Sequence, residues 1–93
     1  MAIQSFRCRD TEKLFKGTRV NRFVNFESVA RRKLDVLNAA YDVRDLLAPP
    51  GNCLEGLQGN RNGQHSIRIN EQWRVCFVWT NQGPTDVEIV DYH

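Results

Sequence analysis

LEGLQGNRNGQHSIRINEQWRVCFVW, running from Leu54 to Trp79, is the stretch whose reading decides the fold. Side chains alternate along a strand, so within Gln64 to Asn70 the residues Ile67 and Ile69 share one face while Ser66, Arg68 and Asn70 take the other. The isoleucines are assigned to the core. By the same rule Trp73, Val75, Phe77 and Trp79 line one face of the next strand, with Arg74, Cys76 and Val78 opposite. Both faces of that strand carry apolar residues, as expected in the middle of a sheet. Just ahead of the first run, Asn62-Gly63 supplies the positive φ values of a tight hairpin turn.

Working outward from this block, Asn81-Gln82-Gly83-Pro84 is a second break, after which Thr85 to Tyr92 reads as a strand. Cys53 to Gln58 reads as another. Upstream, the consecutive prolines of Ala48-Pro49-Pro50-Gly51-Asn52 forbid both helix and central strand and end a helical half. In that half Phe26, Ala30, Leu34, Leu37 and Tyr41 recur at three- and four-residue intervals, which predicts a main helix over Phe26 to Tyr41 with Arg31, Arg32 and Asp35 on its outer face. Residues 2–7 are expected to form a short first strand. Asp10 is the expected N-cap of a short helix reaching about Lys16, with Gly17 ending it. The fold class is therefore α+β, with two N-terminal helices on one face of a small, mostly antiparallel sheet of four to five strands. Residues 1–93 are expected to form one domain.

Arg74 stands out on this map. An arginine on a central strand must be paired or must face a solvated cleft, because an isolated buried charge is expensive. A plain structural role, an ion pair with Glu88 or Asp91, is the alternative to a functional one. Arg68 and Arg61 carry a similar alternative, as solvated strand and turn positions. Trp73 and Trp79 follow the apolar alternation and are assigned to the core rather than to base stacking. His65 shares the face of Ile67 and Ile69 and reads as structural.

The composition, 41% apolar and 26% charged, is that of an ordinary globular chain. No apolar run approaches the roughly 20 residues needed to cross a bilayer, and MAIQSFRCRD lacks the apolar stretch of a signal peptide, so a cytoplasmic location and no membrane partner are expected. Cys8, Cys53 and Cys76 form no CxxC pair and read as structural thiols, so neither a metal nor another cofactor is expected. The net charge of +2 conceals a split: residues 7–33 carry nine Lys or Arg against three acids, whereas residues 34–93 carry four against eight. A basic first third suggests an anionic partner, either nucleic acid or an acidic protein, although solvated helix faces produce the same count.

The order of strand, helical pair and Pro-Pro break, followed by Leu54-Glu55-Gly56-Leu57-Gln58-Gly59, Ser66-Ile67-Arg68-Ile69-Asn70, Trp73-Arg74-Val75-Cys76-Phe77 and the final Asp91-Tyr92-His93, resembles the HigB toxins of the RelE/ParE superfamily. The resemblance covers nearly the whole chain. It implies a toxin of a type II toxin-antitoxin pair, a ribosome-dependent endoribonuclease that cuts messenger RNA in the ribosomal A site and so inhibits translation. It further implies a HigA-like helix-turn-helix antitoxin, the 70S ribosome and mRNA as partners, and operator DNA contacted only through the antitoxin. Position by position, the family's arginine after the strand tryptophan matches Arg74, its C-terminal Asp, Tyr and His match Asp91, Tyr92 and His93, and the strand base matches Glu55. Two departures stand out. Gln58 replaces the lysine of a His-Pro-Leu-Lys-Gly stretch, and Glu55 is followed by Gly56 instead of proline. Either Arg61 or Arg68 supplies compensating positive charge, or the activity is weaker than that of the lysine-bearing members.

Cleavage of RNA without a metal needs the ribose 2′-hydroxyl deprotonated, the phosphorane charge stabilised and the 5′-oxygen protonated. The expected roles are Glu55 as base, Arg74 with Arg68 as a phosphate clamp and His93 as acid, with Tyr92 stacking on or orienting a base. Arginine suits the clamp because its planar fork matches two phosphate oxygens and stays charged. Arg19, Arg22, Arg31 and Arg32 become contact candidates for ribosomal RNA. Two alternatives share the fold or the charge: a gyrase-inhibiting toxin of the ParE branch, which acts by binding a protein, and a small nucleic-acid-binding regulator whose affinity falls steeply with salt.

Overall fold

Four antiparallel strands, in the spatial order β1-β2-β3-β4, make the sheet. They are β1 (Glu55–Gly56), β2 (His65–Arg68), β3 (Trp73–Thr80) and β4 (Gly83–Asp91), in a computed structural model that describes residues 2–57 and 63–91. Two helices precede them, α1 (Arg9–Phe15) and α2 (Glu27–Ala39). The α+β class, the two-helix layer and the antiparallel sheet are those expected from the pattern. Gln58, Arg61, Asn62, Tyr92 and His93 lie outside the described residues.

The alternation rule placed the core correctly. Ile67, Ile69, Val75, Phe77, Val87 and Ile89 are buried on one face of the sheet, against Leu14, Phe23, Phe26, Ala30, Leu34 and Leu37 from the helical half. Trp73 closes one end of this layer, its ring 5.0 Å from that of Phe26 and 5.9 Å from that of Phe23. Trp79 sits edge-on to Phe77 at 6.5 Å, and His65 stacks on Phe77 at 6.0 Å. The Nδ1 atom of His65 is buried without a hydrogen-bond partner. Gly17 (φ +98) terminates the turn after α1, and Gly63 (φ +90) adopts the positive φ that the hairpin requires.

Several boundaries differ from the sequence expectation, each for a local reason. Residues 2–7 form no full strand. The segment runs parallel to β4 with a single bridge, Phe6 to Val87, and three nearby backbone hydrogen bonds: Gln4 N–H to Pro84, Arg7 N–H to Val87 and Val87 N–H to Ser5. It docks where β4 bulges. The register with β3 shifts between Cys76 and Val78, so Asp86 (φ 52) and Val87 together stand opposite Phe77. Asp10 is not the N-cap of α1, because Cys8 holds that position and the Asp10 carboxylate instead accepts from Arg22 Nε at 2.9 Å. The main helix stops at Ala39, and Tyr41, assigned to its buried face, is 83% exposed. A competing capping box explains this: Asp42 caps a 3-10 turn, Val43–Leu47, while the Asp45 carboxylate accepts the backbone N–H of Tyr41 and Asp42. The backbone N–H and guanidinium of Arg44 hold the Asp42 carboxyl below the usual carboxylate range. At the start of α2, Phe26 belongs to a preceding 3-10 turn, Asn21–Phe26, and is buried all the same.

The contrast between two apolar positions tests this packing. Leu34→Ala, at a position with no exposed surface, should cost about 3 kcal/mol, whereas Tyr41→Ala should change stability by less than about 0.5 kcal/mol. Chemical denaturation of the two variants measures both.

Candidate active site

The face of the sheet turned away from the helices holds the polar strand residues. Register places them side by side: Glu55 opposite Ser66, Ser66 opposite Cys76, Arg68 opposite Arg74 and Cys76 opposite Glu88. Each pair sits on neighbouring strands and points to the same side of the pleat. A cleft of about 320 Å³ opens there, lined by Cys53, Glu55, Arg68, Asn70, Glu71 and Arg74.

Arg74 is the anchor of this cleft. Its residue is 8% exposed, and its guanidinium is held along two edges. Nε donates to Ser66 Oγ at 2.7 Å, and Nη2 donates to the carbonyl oxygen of Cys53 and, at 3.4 Å, to that of Ser66. The remaining nitrogen, Nη1, is turned toward Glu55 Oε1 at 3.7 Å, an ion-pair distance longer than a direct hydrogen bond. The pairing that a central-strand arginine requires is thus supplied by Glu55, a serine hydroxyl and two carbonyls. Glu88 pairs with Arg7 at 3.9 Å, and Asp91 accepts from Gln72 Nε2 at 3.0 Å. Arg68 is half-buried in the cleft and has no hydrogen-bond or ion-pair partner among the described residues.

The structure therefore brings Glu55, Arg74 and Arg68 together. Asp91 is not joined to them: it lies opposite Trp73, on the pleat face opposite that of Arg74, and is exposed. Gln58, Arg61, Tyr92 and His93 are outside the described residues. The four candidate arginines of the helical half, Arg19, Arg22, Arg31 and Arg32, divide into two kinds. Arg22 is tied to Asp10 and lies over the Phe23 ring at 4.5 Å, and Arg31 is tied to Glu27 at 3.2 Å and to the carbonyl of Leu14. Arg19 and Arg32 are exposed. All three cysteines are free thiols, with Cys76 buried and Cys53 exposed at the cleft.

Sequence reading missed the supports of Arg74. Ser66 was within reach, since alternation puts it on the arginine face and the hairpin register makes it a neighbour. Cys53 was not, because its contribution is a backbone carbonyl whose aim depends on a left-handed conformation, φ 45 and ψ 53. Lys33 was also missed. Its spacing, three residues after Ala30 and four before Leu37, puts it on the buried face of α2, where it is 8% exposed and donates from Nζ to Asn52 Oδ1. Burial, reinforced by the neighbouring charge of Arg32, lowers its pKa, and the Cys53 side chain acts in the opposite direction.

Comparison with known proteins is consistent along nearly the full length. Residues 4–93 match a family model described as the RelE-like toxin of type II toxin-antitoxin system HigB. The chain is 37% identical over 83 residues to Toxin HigB-1 of Vibrio cholerae serotype O1, a match covering 87% of this chain and 86% of that one. It is 40% identical over 57 residues to an uncharacterized protein of Haemophilus influenzae, covering 61% of this chain and 56% of the other.

A buried hydroxyl that accepts from a guanidinium should show energetic coupling to it. Ser66→Ala, Arg74→Met and the double variant form a cycle in which the pair should couple by about 1.5–3 kcal/mol, the range for a hydrogen bond to a charged group. Urea denaturation supplies all the values, and strict additivity would show that the 2.7 Å contact contributes no net stability.

Proposed function

The chain belongs to the HigB-like toxins, RelE-like toxins of type II toxin-antitoxin systems, and we propose that it is a ribosome-dependent endoribonuclease acting on messenger RNA in the open-face cleft of the sheet. Membership of a type II pair implies an antitoxin partner. The observation that carries the catalytic reading is the carboxylate of Glu55 beside the guanidinium of Arg74, with Arg68 in register next to it on the same face.

In this mechanism Glu55 removes the proton of a ribose 2′-hydroxyl, and the 2′-oxygen attacks the adjacent phosphorus. Negative charge grows on the non-bridging oxygens, where Arg74 and Arg68 are poised to meet it. The bond to the 5′-oxygen then breaks, and His93 supplies the proton to that leaving group. The products are a 2′,3′-cyclic phosphate and a free 5′-hydroxyl. Histidine fits this role because its ordinary pKa of about 6.5 lies close to neutrality, and Tyr92 beside it offers a ring on which an unstacked base can rest.

Two properties of the site support these roles. Glu55 is about half-exposed, with 53% of its side chain accessible, so a substrate can reach it. Arg74 is held rigidly from behind, so little reorganisation is needed when the phosphate arrives. Arg68 also provides a cation in the cleft of a chain that has Gln58 where the family resemblance implies a lysine. Arg19 and Arg32, exposed on the helical side, are assigned to ribosomal RNA. The antitoxin is proposed to be a HigA-like helix-turn-helix protein that carries the pair to operator DNA.

The decisive experiment uses Glu55→Gln, a change at an exposed site that leaves the fold intact, together with Arg68→Ala. Primer extension on translated messages should show cleavage reduced by about 100-fold for Glu55→Gln, the scale expected for a lost general base, and by about 10-fold or more for Arg68→Ala. Full growth arrest by Glu55→Gln, with no messages cut by the unaltered protein, would overturn the nuclease reading in favour of inhibition by protein binding.

A further inference from the structure

The loop that supplies the Cys53 carbonyl is anchored by an unusual set of contacts. Asn52 is fully buried, and its side chain is used at both ends. Its Nδ2 donates to the carbonyl oxygens of Leu46 and Ala48, each at 3.1 Å, and its Oδ1 accepts from Lys33 Nζ of α2. Its own backbone N–H donates to Pro49, and the next N–H, that of Cys53, donates to Pro50. The chain then enters a left-handed conformation at Cys53, which a residue with a Cβ adopts only when its surroundings over-determine it. That conformation turns the Cys53 carbonyl onto Arg74 Nη2.

We propose that Lys33 is a positioning residue: through Asn52 it locks the Pro50–Cys53 turn, and the turn's carbonyl in turn aims the Arg74 guanidinium into the cleft. The inference rests on the reading of that cleft as the site of phosphate chemistry, and it adds a link from the helical layer that no cleft-lining residue discloses. Three features of the geometry carry it. First, Lys33 is a charged residue on the buried face of α2, among Ala30, Leu34 and Leu37, and with 8% of its surface exposed it sits there at a desolvation cost that a polar partner must offset. Second, the acceptor it meets is a wholly buried amide oxygen, so removing the lysine leaves that oxygen without its donor. Third, the residue that bears this amide immediately precedes the one whose carbonyl meets Arg74, and the turn that holds both is a closed hydrogen-bonded unit with little slack.

The probe is the Nε–H of Arg74, which is buried in its bond to Ser66 and gives its own resonance in a proton–nitrogen correlation spectrum, assigned by its disappearance in Arg74→Lys. Lys33→Met keeps the length and apolar stem of the side chain while deleting the donor. The expected result is a shifted Arg74 Nε–H signal whose exchange with water is about tenfold faster. Single-turnover message cleavage should fall by about 10- to 100-fold, as for a misplaced catalytic group, with the ribosome concentration at half-maximal rate unchanged. Leu34→Ala on the same helix is the control for general destabilisation, and it should leave the Arg74 signal in place. If Lys33→Met does not fold, Lys33→Gln, which retains an N–H donor, should fold and show a smaller displacement of the same signal. A folded Lys33→Met with an unaltered Arg74 resonance and exchange rate overturns the proposal, and so does failure of both variants to fold. If the resonance responds while the unaltered protein cuts no RNA, the nuclease reading falls and the positioning link stands.

Discussion

A guanidinium on an inner strand sets the terms for the rest of this molecule. Arg74 cannot shed its proton, and burial of its charge is tolerated only if every edge of the fork finds an acceptor. The sheet meets that requirement from three directions: a neighbouring strand offers Ser66, the loop ahead of β1 offers the Cys53 carbonyl, and β1 itself offers Glu55. These are three separate segments of the chain. The short β1, the left-handed Cys53 and the buried Asn52 are all intelligible as what it takes to surround one charge on the open face of a sheet whose other face carries the apolar core.

Much of this was legible in the sequence because strand alternation is strict. Once Ile67 and Ile69 are sent to the core, Arg68 has no choice of face, and once Val75 and Phe77 follow, neither has Arg74. The single antiparallel hairpin then brings Arg68 and Arg74 into register. What alternation cannot reveal is how a helix ends when a second capping device competes for the same residues. The three- and four-residue spacing continues through Tyr41, but the Asp42 and Asp45 capping box captures the backbone there and turns the tyrosine out to solvent. Nor can it reveal contributions made by backbone carbonyls. Cys53 acts through a main-chain oxygen, which leaves no mark in the residue's identity, whereas Lys33 sits at the spacing of Ala30 and Leu37 and only its charge disguised a buried position.

The charge asymmetry of the sequence also changes meaning in three dimensions. Nine cations in the first third suggested a basic surface, yet Arg22, Arg31 and Lys16 are engaged by Asp10, Glu27 and Glu12, and Lys33 is buried. Exposed ion pairs of this kind contribute little to stability, typically below about 1 kcal/mol each, but they do neutralise the field that a partner would feel. Arg9, Lys13, Arg19 and Arg32, all exposed, are the cations of that region without such a carboxylate among the described residues. A contact surface for RNA on this side would therefore be sparse, with position counting for more than total charge.

Among the described residues the cleft is close to neutral, since Arg68 and Arg74 share it with Glu55 and Glu71. That balance has a consequence for the proposed chemistry. A monoanionic phosphodiester gains little on entering a neutral cleft, so under the proposed reading a free strand would bind weakly and the message would be delivered by something larger than the cleft. The balance shifts when a second negative charge develops on phosphorus and Glu55 takes up a proton from the ribose. At that moment the acid nearest Arg74 is neutralised, and the guanidinium 3.7 Å away is released to the phosphorane. An arrangement of this kind binds the transition state better than the ground state, which is the condition for accelerating the chemical step itself. It also gives a physical reason for a small nuclease to work on RNA that a large assembly already holds in place.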